Sequence, residues 1–513
     1  MNRRLAAALC ALAFAVLAFL LLRRLSDFPG LHGDEAWVGL YAVRILKGGL
    51  YSPHEMNTYT GPLYGWLLSG VYRLLGASVF SLRLPGALLN LFAAGLLAGH
   101  FWRREGPRSS LLWLALLLGS PLFLLKSRVA WEVYALQPLL LALVFAASRR
   151  ALDDDGGGTR NALLFLAACH LGVLNHFIFS SVPVSLLAYA AFRSILQRDA
   201  RALDLLALAA YASLQTLLVG TLKPRVGDAF WLEHRAPLCA AWLSLPFLGG
   251  ALYRGLRSRW LPALGVLATR AAALPERVFS SARVVVCVGF AAFVFFHWIA
   301  FMQILSGVSV FMRLTSWEPS LFLAVPLYAG AGLSMVVLFS EGLRALYSRE
   351  VPEGPRGVAL WFLCYAAAFP LFRTHSTIRY YILPAFLALA ALAVLLPPLL
   401  ERRAGARAAL FAGLLCLFTL SVKESSMSGV RFPVSFHVGW RWENSGDFLP
   451  KKGLYDEISS LGYCEFHPDS FIGLPMIFYL NTEKRDCSRS ETVRIEVCPS
   501  CPRPYFRWEA PGR

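Results

Sequence analysis

Two adjacent carboxylates, Asp34 and Glu35, stand in the stretch LHGDEAWVGL, a short way past an apolar run long enough to cross a bilayer. A carboxylate at a membrane–water boundary, beside aromatic side chains, can take the proton from a hydroxyl or amine of an amphiphilic substrate. The pair also suits a structural task, with Asp34 capping a helix and Glu35 favouring its positive end. A second cluster is LKSRVAWEVYAL, residues 125–136, with Lys126, Arg128, Glu132 and Tyr134. Ionisable groups at membrane depth are functional candidates by default. The plainer alternative is that Lys126 and Arg128 snorkel to the interface and Glu132 pairs with Arg128 at i,i+4. A third cluster, RTHSTIRYYILP, residues 373–384, holds Arg373, His375, Arg379 and Tyr380. Two guanidiniums and an imidazole there suit the oxygens of a phosphate or diphosphate, with snorkelling again the alternative. His176, in GVLNHF, lies alone between two apolar runs, as a satisfied helix-end histidine or as a substrate or metal contact.

No soluble-enzyme machinery competes with these clusters. The chain has no GxxxxGK[ST] phosphate loop, no GxSxG elbow and no HExxH zinc helix. Asp153-Asp154-Asp155 followed by three glycines reads as a solvated linker between arginine-flanked segments rather than a metal site. A divalent metal remains a possible cofactor, but no spacing singles out its ligands.

The elements that must position these groups are membrane helices. With 57% hydrophobic residues, 16% charged and a mean hydropathy of +0.55, the chain is far more apolar than a soluble globular protein. Backbone in lipid must satisfy its own hydrogen bonds, so the long apolar runs are helices. Spans are expected near Leu5–Leu22, Leu84–Phe101, Leu111–Leu125, Val133–Ala147, Ala162–Leu174, Phe177–Phe192 and Leu203–Leu222. Further spans follow near Leu238–Tyr253, Val284–Leu305, Leu321–Phe339, Val358–Phe372, Tyr380–Leu396 and Ala408–Val422. This amounts to about thirteen helices in an all-α polytopic body.

Arginines alternate with the spans. Arg103, Arg104 and Arg108 share a loop, as do Arg149, Arg150 and Arg160, and Arg193, Arg198 and Arg201, and the parity continues to Arg402, Arg403 and Arg407. Such loops face the cytoplasm, which places the amino terminus inside and the carboxyl terminus outside. Arg23 and Arg24 run against that trend and are outweighed by the later loops. The net charge of +18 is therefore mainly a topology signal and does not imply nucleic acid. The amino-terminal run is longer than a signal-peptide core and lacks a clear cleavage site, so it reads as an uncleaved anchor.

The first outer loop, residues 23–83, is too long to be a plain connector. Ala36–Leu46 and Leu63–Leu75 read as amphipathic helices lying at the interface, the second opened by Gly61-Pro62. Residues 1–422 form the membrane body, and 423–513 a small extracytoplasmic α+β or β-rich domain. That domain holds Cys464, Cys487, Cys498 and Cys501. An even set in an exported segment favours disulfides over a zinc or redox pair at Cys498–Cys501.

The series GDEAWVGLYAVRILKGGLY and TGPLYGWLLSGVYRLLGASVFSLRLPGALLNLFAAGLLAG resembles the amino-terminal half of polytopic GT-C glycosyltransferases. The likeness is to the protein mannosyltransferase, lipid A aminoarabinose transferase and lipopolysaccharide galacturonosyltransferase branches. Shared features are an acidic residue in the first outer loop, a PLY helix start, a Gly-x-Ser-x-x-x-x-Arg-Leu-Pro lead into the second span, a tyrosine in SRVAWEVYAL and the RYYILP lead into a late span. The resemblance is specific over Gly33–Tyr134, weaker through the middle and absent from the tail.

It implies a sugar donor carried on polyprenyl phosphate, used at the outer membrane face, with Asp34 as base toward the acceptor and Glu35 orienting base or acceptor. Arg128, Glu132, Tyr134, His176, Arg373, His375, Arg379, Tyr380 and Tyr59 are then candidates for substrate binding. Thr60-Gly61-Pro62-Leu63 stands where aminoarabinose transferases carry Lys-Pro-Pro-Leu, which argues against aminoarabinose as the sugar. The expected protein is a monomeric inverting glycosyltransferase of the cytoplasmic membrane, acting on a lipid, glycan or protein acceptor of the cell envelope. The competing class is a transporter or flippase of lipid-linked glycans, whose usual paired broken helices in matching halves are not evident here.

Overall fold

The computed structural model describes residues 2–48, 60–152, 158–196, 199, 201–222, 240–241, 244–255, 276–306, 321–347, 354–372, 378–401, 403, 405–407, 409–410, 413–414, 451–467, 472–483, 485, 487–497 and 506–510. Most of these residues are helical. Among them, eight helices are long and apolar enough to cross a membrane. They run over Arg3–Leu22, Val79–Arg104, Glu132–Ala151, Phe177–Ile195, Ser280–Trp298, Val325–Tyr347, Pro355–Phe372 and Ile382–Leu400. The chain is a multi-pass membrane protein.

Eight of the thirteen expected spans are met. Those near Ala162–Leu174 and Leu203–Leu222 are helical without counting among the eight, that near Leu238–Tyr253 lies partly outside the described residues, and two more differ for other reasons. The run near Leu111–Leu125 is broken by Gly119-Ser120-Pro121 into α5 (Pro107–Leu118) and α6 (Pro121–Lys126), each too short to span. The proline's missing N–H and the Ser120 side chain, which caps Phe123, end one helix and start the next. The run near Ala408–Val422 lies largely outside the described residues.

The helices before the break are α1 (Arg3–Leu22), α2 (Gly33–Leu46), α3 (Leu63–Leu75) and α4 (Val79–Arg104). After it come α7 (Glu132–Ala135), α8 (Gln137–Ala151), α9 (Gly158–Asn175), α10 (Ser181–Ala191) and α11 (Ala202–Leu222). The body closes with α12 (Glu276–Ser306), α13 (Leu321–Tyr347), α14 (Pro355–Phe372) and α15 (Ile382–Leu400). Helix α15 is buried from Ile382 through Leu395, as an element apolar on every face must be when it stands inside a bundle. It packs on α5 and α14, and α14 in turn on α10, α12 and α13. Helices α1 and α12 leave many apolar residues on the outside, Leu12 and Phe295 among them, which is the lipid-facing pattern.

The bundle has two chemically different ends. At one, Arg149 bonds both Glu105 and the Gly354 carbonyl, Arg108 meets Glu401, and Glu341 takes Arg344 and Arg356. The amino-terminal half of α1 belongs to that end, with Cys10 Sγ 3.8 Å from Ser110 Oγ. At the other end, Arg128 donates to the Arg24 carbonyl and Lys451 to the Leu31 carbonyl. The loops of Arg108, Arg149, Arg344 and Arg356 therefore share one face, and the segment from Lys451 onward packs against the opposite one.

That carboxy-terminal segment contains α16 (Lys452–Ser460), β1 (Tyr463–Phe466), α17 (Gly473–Thr482), β2 (Arg489–Val497) and β3 (Phe506–Glu509). Strands β1 and β2 are parallel, joined by the α17 crossover, and β3 adds antiparallel to β2. Cys464 and Cys487 are bridged, while Cys498 and Cys501 lie outside the described residues.

The interfacial expectation for α2 is corrected. The helix begins at Gly33, ahead of the expected Ala36, and is buried on most of its surface between α3 and α17. Only α3 has the two-faced character, with Tyr64, Gly65, Leu68 and Tyr72 inside and Trp66, Leu67, Leu74 and Leu75 exposed.

Candidate active site

Helix α2 starts with a capping box built on histidine. The Nδ1 of His32 accepts the Asp34 N–H at 3.0 Å, and the Glu35 carboxylate accepts the His32 N–H at 3.3 Å. The capping expected of Asp34 thus falls to His32 and Glu35. Asp34 occupies the second helical position and is partly exposed, where Glu35 is buried.

Glu35 is fully buried against Arg83 of α4, and neither side chain has solvent exposure. Arg83 Nε reaches Oε1 at 2.6 Å and Nη2 reaches Oε2 at 2.7 Å, the bidentate geometry that makes guanidinium–carboxylate pairs strong. The remaining Arg83 donors go to the carbonyls of Leu25 at 3.1 Å, Pro29 at 2.7 Å and Gly30 at 3.2 Å. Every one of the five N–H groups of a guanidinium thereby has an acceptor. Glu35 also accepts the Ala130 N–H at 2.8 Å. A single buried pair therefore ties the turn after α1, the start of α2, the start of α4 and the 127–131 loop together. An isolated charge could not be held here; the pair is tolerated because its hydrogen bonds are complete.

The loop that Glu35 holds is SRVAW, which is non-helical yet buried. Irregular backbone at such depth survives only inside protein or along a cavity. Because Ser127–Trp131 is not helical, the i,i+4 geometry suggested for Arg128 and Glu132 does not exist. Arg128 donates to the Arg24 carbonyl and faces the Phe28 ring at 5.4 Å. Trp131 stacks on His32 at 5.3 Å and meets the Tyr134 ring edge-on, and the Lys126 ammonium lies 5.0 Å from the centre of that ring. Glu132 accepts the Thr60 hydroxyl at 3.3 Å. The amides of Asn90 and Asn175 reach across to the Tyr134 and Glu132 carbonyls, both at 2.8 Å, and so fix the short α7.

Thr60 forms an antiparallel bridge with His176, whose own Nδ1 accepts the Ile178 N–H at 3.1 Å, capping a 3-10 turn over Phe177–Ser180. The His176 ring lies 5.3 Å from that of Tyr380. A continuous chain of contacts thus links Asp34 and Glu35 to Arg128, Glu132, Tyr134, His176 and Tyr380. Tyr59, Arg373 and His375, with the side chain of Arg379, lie outside the described residues.

Sequence reasoning missed the residues that hold the cluster. Arg83 was legible only as part of the Arg-Leu-Pro lead into a span, although an arginine within an apolar run is itself a signal of a buried partner. Thr60 stood out only as the replacement of a lysine, and Asn90 and Asn175 gave no signal, being single small polar residues. For a metal, no three His, Cys, Asp or Glu side chains come together among the described residues. Glu35, the carboxylate adjacent to Asp34, is already spanned by Arg83, and no step is routed through a metal.

No protein-family model matches the sequence, and no curated protein matches it. Solved structures do. The oligosaccharyltransferase of Archaeoglobus fulgidus, crystallised with zinc and sulfate, superposes with a TM-score of 0.51 at 16% identity, covering 88% of this chain and 55% of that one. This chain therefore spans about half the length of the archaeal protein. ArnT of Cupriavidus metallidurans aligns with a TM-score of 0.36 at 17% identity, over 76% of this chain and 78% of its own. The chain shares the fold of the membrane body of that archaeal structure over most of its own length.

Proposed function

We propose that this protein is an inverting glycosyltransferase that moves a sugar from a polyprenyl-phosphate donor to a lipid, glycan or protein acceptor at the outer face of the cytoplasmic membrane. The observation that carries the proposal is the division of labour between two neighbouring carboxylates. Glu35 is neutralised and immobilised by Arg83, and Asp34 is left partly exposed at the tip of the helix so fixed. A base held on a rigid element, beside an aromatic-lined loop and on the end away from the arginine-rich face, is what acceptor activation at a membrane surface requires.

In this reading Asp34 takes the proton as the acceptor oxygen or nitrogen attacks the anomeric carbon. The bond to the donor phosphate breaks on the opposite side of the sugar and its electron pair leaves with the lipid phosphate. Lys126 and Arg128, at this end, stabilise the charge that develops there, a role the sequence also assigns to Arg373 and Arg379. Glu35 acts by orienting the base rather than as a second one. Thr60, standing where aminoarabinose transferases have lysine, supports Glu132 instead of a phosphate. The arginine-rich face is cytoplasmic under the positive-inside rule, residues 1–422 form the catalytic body, and residues 423–513 an extracytoplasmic domain.

Purified protein in detergent, given radiolabelled polyprenyl-phosphate sugars, is expected to release free polyprenyl phosphate, and Asp34→Asn to abolish that release while folding persists. Absence of turnover with every donor, alongside binding of lipid-linked glycans, would move the flippase reading ahead.

A further inference from the structure

The carboxy-terminal segment does more than pack near the candidate site; it grips the turn that carries Asp34. Lys451 is fully buried and its ammonium donates to the Leu31 carbonyl at 3.1 Å, just before the capping histidine His32. Burying a lysine is costly unless its charge is met by acceptors, so its placement on this backbone is specific. The grip has a second point on the same helix. Phe478 of α17 lies so close to Gly39 that a Cβ there would fall 2.4 Å from the ring. The neighbouring Tyr479 is buried as well, its phenol pushed up chiefly by that burial, with Arg83 and Glu35 in its electrostatic surroundings. The α17 crossover lies within the loop closed by Cys464–Cys487, and α16, which Lys451 precedes, packs on β1 and α17.

We propose that Lys451 is a positioning residue that fixes the Leu31–Asp34 turn, so that the carboxy-terminal segment sets the aim of the Asp34 carboxylate from outside the membrane body. The proposal rests on the transferase reading for its catalytic consequence, though not for its structural one. Arg83 holds the turn from the membrane side through the Pro29 and Gly30 carbonyls, and Lys451 holds it from the opposite side through Leu31. Releasing one of the two leaves the helix formed but its first turn free to shift. Misplacement of a catalytic group by about 1 Å can cost on the order of a hundredfold in rate.

The test compares Lys451→Met, which keeps the apolar stem and removes the donors, with Lys451→Arg, which restores a cationic donor. Two readouts are taken on the same preparations. The first is turnover of radiolabelled polyprenyl-phosphate sugar, where Lys451→Met is expected to lower kcat about tenfold to a hundredfold with the donor KM within about threefold, and Lys451→Arg to recover most of the loss. The second is hydrogen exchange, where peptides covering residues 31–40 are expected to exchange about tenfold faster in Lys451→Met, with peptides of α14 unchanged. An unchanged kcat in an active preparation, or unchanged exchange over 31–40, overturns the proposal, as does faster exchange spread over α14, which would mean general destabilisation. If wild type turns over no donor, the transferase reading fails, and the exchange readout still decides whether Lys451 orders the turn.

Discussion

Replacing Arg83 tests the physical basis of the site. The five N–H groups of its guanidinium meet two Glu35 oxygens and three carbonyls, all buried. Lysine has three donors on one nitrogen, so Arg83→Lys strands at least two of those acceptors, and a stranded buried acceptor costs about 1–3 kcal/mol. The expected loss is therefore about 2–6 kcal/mol, for a substitution that conserves charge. Arg83→Met goes further, leaving the Glu35 carboxylate with only the N–H groups of His32 and Ala130, and breaking a buried pair in this way costs about 3–5 kcal/mol before the carbonyls are counted. The partner change Glu35→Gln separates the terms. If the two residues act as one unit, the double variant Glu35→Gln/Arg83→Met is less damaging than the sum of the single changes by about 2 kcal/mol or more. Unfolding of the purified variants in mixed detergent–SDS micelles, followed by tryptophan fluorescence, supplies the four corners of the cycle. Single losses below about 1 kcal/mol, combining additively, would refute the claim that this pair holds the site together.

Other substitutions probe the remaining supports. Gly61→Ala would place a Cβ 1.5 Å from the Leu174 carbonyl oxygen, so it should break the bridge between Thr60 and His176 and abolish turnover, with a lowered melting temperature checking the structural cause. Cys464→Ser/Cys487→Ser removes a bridge of sequence separation 23, which in the chain-entropy treatment is worth about 3 kcal/mol. Limited proteolysis should then cut after residue 451 while the membrane body stays intact. Single cysteines introduced at Arg150 and Arg494 should react with a membrane-impermeant maleimide from opposite sides of sealed vesicles, Arg494→Cys from the outer one; labelling from the same side would reverse the topology.

Much of the fold was legible because lipid imposes a simple rule on sequence. The apolar runs near Leu5–Leu22, Leu84–Phe101 and Tyr380–Leu396 could only be helices, found at Arg3–Leu22, Val79–Arg104 and Ile382–Leu400, and the arginine periodicity foretold that Arg108, Arg149 and Arg356 would share a face. Element boundaries were less legible where a proline broke a run, as at Pro121, because hydropathy is blind to a lost backbone donor. Helix α2 looked interfacial because its cover, α17, comes from the far end of the chain, and no local pattern reveals a partner that distant. The clusters around Asp34, Arg128 and His176 were visible as ionisable residues out of place in an apolar chain. Their connections were not, since Glu35 meets Arg83 and Thr60 meets Glu132 only through tertiary folding. Glu35 and Asp34 look alike as a dipeptide, and burial alone tells them apart.

The most direct test of the account measures donor binding and single-turnover rate on the same sample of Asp34→Asn. If Asp34 is the base, the affinity for polyprenyl-phosphate sugar stays within about threefold of wild type, while the single-turnover rate falls by about 10²–10⁴, the usual contribution of general base catalysis. A rate within about threefold of wild type would contradict the account, leaving Asp34 a surface residue of a capped helix.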